Sequence, residues 1–81
     1  MFEFAPSQQK GGASDKVALY ADLRAAAVAV TEGETDAIAN MANVAALVWH
    51  YLPDVNWAGF YRLVGDELLL GPFQGKAACI R

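Results

Sequence analysis

Cysteine is nearly missing: Cys79 is the single one in 81 residues. One thiol cannot close a disulfide within the chain, and it cannot supply a cysteine-based zinc site. Basic residues are also sparse, with six Lys and Arg against nine Asp and Glu and a net charge of −3. Those six are scattered, so the chain lacks the electrostatic footprint of a nucleic-acid binder. The acidic residues do not gather into a tail either. Long apolar runs are absent as well. The longest uncharged stretch, Ala37 to Pro53, contains Asn40, Asn43, His50 and Pro53. A membrane-spanning helix needs about 20 mostly apolar residues, so none is expected. The first residues, Met1-Phe2-Glu3-Phe4, show no basic region followed by an apolar run. No secretory signal is read there, and the expected compartment is the cytoplasm. Phosphate-loop and dinucleotide fingerprints and a Ser-His-Asp order are not found.

The length sets an upper bound of one small domain. The hydrophobic fraction is 56%, but sixteen of those residues are alanine, so the supply of large core side chains is ordinary. Residues 1–14 carry Pro6, Gly11 and Gly12 among polar residues and read as a flexible leader. Residues 15–31 read as a helix. Ser14 is its expected cap, and Leu19, Tyr20, Leu23, Ala27 and Val30 recur at helical spacing. A second helix is expected over 36–52, started by Glu34 or Thr35 and stopped by Pro53. Its apolar stripe would be Ile38, Met41, Ala42, Ala45, Val48, Trp49 and Leu52. Asn40 and Asn43 fall off that stripe, on a face expected to be solvated or an interface.

The period then changes to two. Val55, Trp57, Gly59, Tyr61 and Leu63 alternate with Asn56, Ala58, Phe60, Arg62 and Val64, as in a strand. Gly65-Asp66 predicts a tight hairpin turn into Glu67-Leu68-Leu69-Leu70. Pro72 cannot donate to a ladder, so Gly71 to Gly75 is expected to be an edge, a bulge or a loop that breaks the second strand. Ala77 to Arg81 reads as the opening of a further strand. So small a sheet would leave one face bare, which predicts part of a larger fold. The competing organisation is a complete miniature α+β domain.

Three features could carry chemistry. Cys79 lies near Lys76 and would share a strand face with Arg81; neighbouring cations favour the reactive thiolate, whereas many free cysteines simply pack. Trp57 and Tyr61 share a strand face with Gly59 between them. That arrangement predicts either an aromatic-walled slot suited to a polarised sulfur or a cation, or an ordinary aromatic core. His50 has no Cys, Asp or Glu at ligand spacing, so no metal is expected there. It reads as a helix C-terminal residue interacting with the dipole. Asp66 and Glu67 read as turn residues.

Three segments are specific enough to suggest a family. They are Trp57-Ala58-Gly59-Phe60-Tyr61, Gly65-Asp66-Glu67-Leu68, and the run from Leu70-Gly71-Pro72-Phe73-Gln74-Gly75 through Lys76-Ala77-Ala78-Cys79-Ile80-Arg81. Together they resemble the free methionine-(R)-sulfoxide reductases, catalytic members of the GAF-domain superfamily. The segment from Asp36 to Asn43 is similar to that family's lead-in helix, and the resemblance covers roughly residues 15–81. It implies an α+β fold, GAF-like, with an antiparallel sheet flanked by helices. Here that fold would be incomplete: two helices, a hairpin and the start of a further strand, the N-terminal half of the domain.

The resemblance also implies a substrate, free methionine-(R)-sulfoxide, reduced to methionine by a cysteine disulfide relay. Thioredoxin would be the external reductant, no cofactor would be bound, and the assembly would be a homodimer. On this resemblance Trp57 and Tyr61 are substrate-binding residues and Cys79 is the resolving thiol. The attacking cysteine and the acidic residues that would hold the substrate's ammonium group have no counterpart in these 81 residues. This chain alone is therefore expected to be inactive. The alternative is a non-catalytic GAF module that senses a small molecule.

Overall fold

Alanine is the residue least costly to hold in a helix, and the alanine-rich first segment forms α1, Ala13–Thr31. The structure is a computed structural model that describes residues 13–81. Most of the expected leader, residues 1–12, lies outside the described residues. The helix begins one residue ahead of Ser14, so Ser14 is inside it rather than at its cap. Ala13 is a strong helix former and extends the helix backwards. Asp15 sits in the first turn, where a negative charge complements the helix dipole. At the other end the Thr31 hydroxyl donates to the Ala27 carbonyl at 2.7 Å, and Gly33 lies just beyond.

Helix α2, Ala37–Tyr51, is started by Asp36 and not by Glu34 or Thr35. The Asp36 carboxylate accepts the Ala39 N–H at 2.8 Å, filling one of the donors a helix start leaves open. Glu34 assists from one step back. Its carboxylate accepts the Asp36 N–H at 2.9 Å, and its carbonyl accepts the Asn40 side-chain amide at 3.0 Å. Asn40, expected on a solvated or interface face, ties down the interhelical loop. Leu52 closes the helix by donating its N–H to the Val48 carbonyl, with Pro53 next.

The stripe expected on α2 accounts for only part of its burial. The buried residues are Ala45, Leu47 and Tyr51, whereas Ile38 and Trp49 are exposed. The reason is that α2 is a middle layer, with α1 on one side and both strands on the other. Leu47 and Tyr51 join Leu19 and Ala26 of α1 in the core, with Leu23, Ala27, Val30 and Leu52 packed around them. On α1, Tyr20 points outward and Ala26 takes the buried place, because a small residue lets the two helices approach closely. Val44, Ala45 and Val48 of α2 line a cleft shared with Ala58 and Phe60 of the sheet. Truncating Leu47 to alanine removes contacts from the helix pair. Because Leu47 keeps 8% of its exposure, we expect a loss near the low end for such changes, about 2 kcal/mol, read as a lowered urea midpoint.

The sheet has two antiparallel strands, β1 (Trp57–Val64) and β2 (Glu67–Gly75). A two-residue loop, Gly65-Asp66, joins them, and Val64 pairs with Glu67. Gly65 has φ +64° and Asp66 is not in the positive-φ region. A positive φ at the first loop residue alone is the II′ pattern, whose twist suits a hairpin. The second strand does not break at Pro72. It runs on to Gly75 through a bulge: Tyr61 pairs with Leu70 and Gly59 with Phe73, so Gly71 and Pro72 together face Phe60. A bulge lets a proline stay in a strand without owing the ladder a donor.

Residues 77–81 do not form the expected further strand. They turn back beside β2 and make one backbone hydrogen bond to it, Leu70 N–H to the Ile80 carbonyl at 2.8 Å. The Cys79 carbonyl, and that of Lys76 just before the segment, are taken by side chains of β1 and not by a strand partner.

Candidate functional site

Strand pleating puts Trp57, Gly59 and Tyr61 on one face of β1 and Ala58 and Phe60 on the other. Ala58 is buried on the side of α2, and Trp57, at the start of the strand, also borders that helix, since it lines a hollow with Trp49. The rings stack. Trp57 and Tyr61 have centroids 6.3 Å apart with planes 28° apart. Phe73 adds a third ring, 5.5 Å from Trp57 and inclined by 16°. Trp57 is half-buried, while Tyr61 keeps 37% of its surface exposed.

The slot expected over Gly59 is not open. A side chain at Gly59 would come within 2.8 Å of the Phe73 Cα and 2.9 Å of the Pro72 carbonyl oxygen. The glycine admits the opposite strand, not a ligand. Phe73 is the site residue that sequence reasoning missed. Counting back from the turn sets Pro72 opposite Gly59, and only the bulge brings Phe73 there, onto the aromatic face. Open space also borders the Trp57 indole. A hollow of about 630 Å³ is lined by Trp49, Asn56, Trp57, Gly75, Lys76 and Ala77.

Cys79 is exposed, on the irregular segment that follows β2. The segment lies against the aromatic face at two points. The Trp57 indole N–H donates to the Lys76 carbonyl at 3.2 Å, and the Tyr61 hydroxyl donates to the Cys79 carbonyl at 2.7 Å. The structure thus brings Trp57, Tyr61 and the Cys79 backbone together. Arg81, expected to share a strand face with Cys79, is turned to Glu67 at the start of β2, with Nε 3.7 Å from a carboxylate oxygen. Both side chains are more than half exposed, so this ion pair adds little to stability.

His50 lies in the last turn of α2, with its ring edge-on to Tyr51 at 5.7 Å. No group of three or more His, Cys, Asp or Glu able to hold a metal ion occurs among the described residues. No helix among them is long and apolar enough to cross a membrane.

What the arrangement offers chemically is a polarisable aromatic surface and a thiol carried at its margin. Aromatic rings attract sulfur and cationic groups, and a thiol can exchange with another sulfur.

No family model matches the chain. It is 52% identical over 67 residues to the free methionine-R-sulfoxide reductase of Escherichia coli, which covers 83% of this chain and 41% of that protein. Among solved structures, one described as a GAF sensor protein of Burkholderia vietnamiensis superposes with a TM-score of 0.78 at 56% identity. That match spans 82% of this chain and 42% of the other. A structure of fRMsr of Staphylococcus aureus in complex with substrate superposes with a TM-score of 0.73 at 43% identity, over 75% of this chain and 40% of the other. The chain therefore spans about two fifths of the length of the relatives it matches. It is a homologue of the free methionine-R-sulfoxide reductases, and its two helices and hairpin are part of a GAF fold.

Proposed function

We propose that this chain is part of an oxidoreductase that reduces free L-methionine-(R)-S-oxide to L-methionine. The observation that carries this reading is the 52% identity to a protein of that name over most of the chain. The geometry is consistent with it: a sulfoxide suits an aromatic surface, and Trp57 and Tyr61 present one beside the thiol-bearing segment. In the proposed cycle an attacking thiol takes the sulfoxide oxygen, giving methionine and a sulfenic acid. Cys79 is the resolving thiol. It condenses with the sulfenic acid, forming a disulfide and releasing water. Thioredoxin, as external dithiol, then exchanges with that disulfide and restores both thiols. No bound cofactor is needed, because both electrons come from the dithiol.

These 81 residues hold one thiol, so the attacking cysteine has to come from outside them. The reading extends to a homodimer and to the cytoplasm, where thioredoxin keeps thiols reduced.

The test is an assay of the protein expressed from its full reading frame, with thioredoxin and each sulfoxide epimer of free methionine. We expect consumption of the R epimer and none of the S epimer. The 81-residue chain assayed alone should show no repeated turnover. Failure of the full-frame protein to consume the R epimer sinks the reading. A second reading, a non-catalytic GAF module that senses a small molecule, is favoured by the similarity to the Burkholderia vietnamiensis structure described as a GAF sensor. Saturable binding of methionine sulfoxide without any reduction would select it.

A further inference from the structure

The segment after β2 poses a physical question, because little burial holds it in place. Lys76, Ala77, Cys79, Ile80 and Arg81 are all exposed, and only Ala78 is half-buried. Apolar contact therefore cannot be its main anchor. What fixes it is a short set of directed bonds. Trp57 and Tyr61, four residues apart on one face of β1, present an indole N–H and a hydroxyl. These meet carbonyls three residues apart on the returning segment, at Lys76 and Cys79. The Leu70 N–H adds a third bond, to Ile80. The Tyr61 bond is the shortest of the three, and it acts on the residue that carries the sulfur.

We propose that Tyr61 is a positioning residue for Cys79: its hydroxyl, bonded to the Cys79 carbonyl, docks the thiol-bearing segment onto the aromatic face and so fixes where the sulfur is presented. This assigns the ring and the hydroxyl of Tyr61 to different tasks. The ring stacks on Trp57 and forms the surface; the hydroxyl holds the backbone of Cys79. The catalytic consequence rests on the reductase reading, whereas the docking itself does not.

The test is Tyr61→Phe in the protein expressed from its full reading frame. This change keeps the ring and its stacking and removes only the donor. Tyr61 is 37% exposed, so the lost hydroxyl leaves no buried hole. The Leu70 amide is the reporter, since its protection comes from the Ile80 carbonyl on the docked segment. We expect Leu70 to exchange about fivefold faster, the effect of one ordinary hydrogen bond on a local opening equilibrium. Alkylation of Cys79 by iodoacetamide, followed by mass spectrometry of the peptide that contains it, should change in rate as well, because the exposed thiol is no longer held in one place. In the sulfoxide assay kcat should fall while KM holds, because the ring surface is intact.

Unchanged Leu70 exchange and unchanged Cys79 alkylation in the variant overturn the proposal, even where the wild-type protein reduces the sulfoxide. Faster Leu70 exchange with an altered rate of Cys79 alkylation supports it, even where no reduction is detected; in that case only the reductase reading falls.

Discussion

Alanine at Gly59 is expected to cost the fold about 3 kcal/mol, the upper end for forcing an extra carbon into a packed site. The added Cβ would lie 2.8 Å from the Phe73 Cα and 2.9 Å from the Pro72 carbonyl oxygen. Both are backbone atoms, so no side-chain rotation relieves the clash. Relief requires β2 to move away from β1 at the bulge, where the ladder is already interrupted. Phe73 would be displaced from Trp57, and the aromatic face would lose its third ring. Native domains have a total stability of only about 5–15 kcal/mol. A loss of 3 is a large share of it. Thermal unfolding of the Gly59→Ala variant of the protein expressed from its full reading frame should therefore shift down by about 6–12 °C. Tryptophan fluorescence should report altered packing of Trp57 below the transition. A shift of only a degree or two would mean that the strands separate there at little cost, and that the close approach at Gly59 does not set the register.

The sequence reveals much of this architecture, for identifiable reasons. Alternation from Trp57 to Val64 and the Gly65-Asp66 pair encode the hairpin locally, and Pro53 and Gly33 punctuate the helices. What it hides depends on partners distant along the chain. A single stripe on α2 presupposes one partner, but the helix lies between α1 and the sheet, so Leu47 and Tyr51 are buried while Trp49 and Ile38 are not. The same limit applies to the site. Trp57 and Tyr61 share a face by strand period alone. Phe73 reaches that face only through a bulge, and Gly71-Pro72 signals such an irregularity without fixing its register. The bonds from Trp57 and Tyr61 to Lys76 and Cys79 span 19 and 18 residues and have no local sequence signal.

Serine at Cys79 is expected to stop repeated turnover while sparing a single round of reduction, in the protein expressed from its full reading frame. The argument follows the sulfur chemistry of the proposed cycle. The first step needs only the attacking thiol, which takes the oxygen and releases methionine. The second needs a thiol at residue 79 to condense with the sulfenic acid, and a hydroxyl cannot replace it. The oxidised enzyme would then accumulate as a sulfenic acid that offers thioredoxin no disulfide to exchange with. Steady-state turnover should fall by well over tenfold, more than about 1.4 kcal/mol of barrier. Rapid quenching should still show about one methionine per site, and intact mass should show one added oxygen on the protein. Cys79 is exposed and its side chain fills no core, so folding should survive the change and the loss can be read as chemical. Turnover equal to that of the unmodified protein would remove Cys79 from the relay and leave it a bystander on the docked segment. Loss of the first methionine as well would make Cys79 the attacking thiol, reversing the order of the two sulfurs.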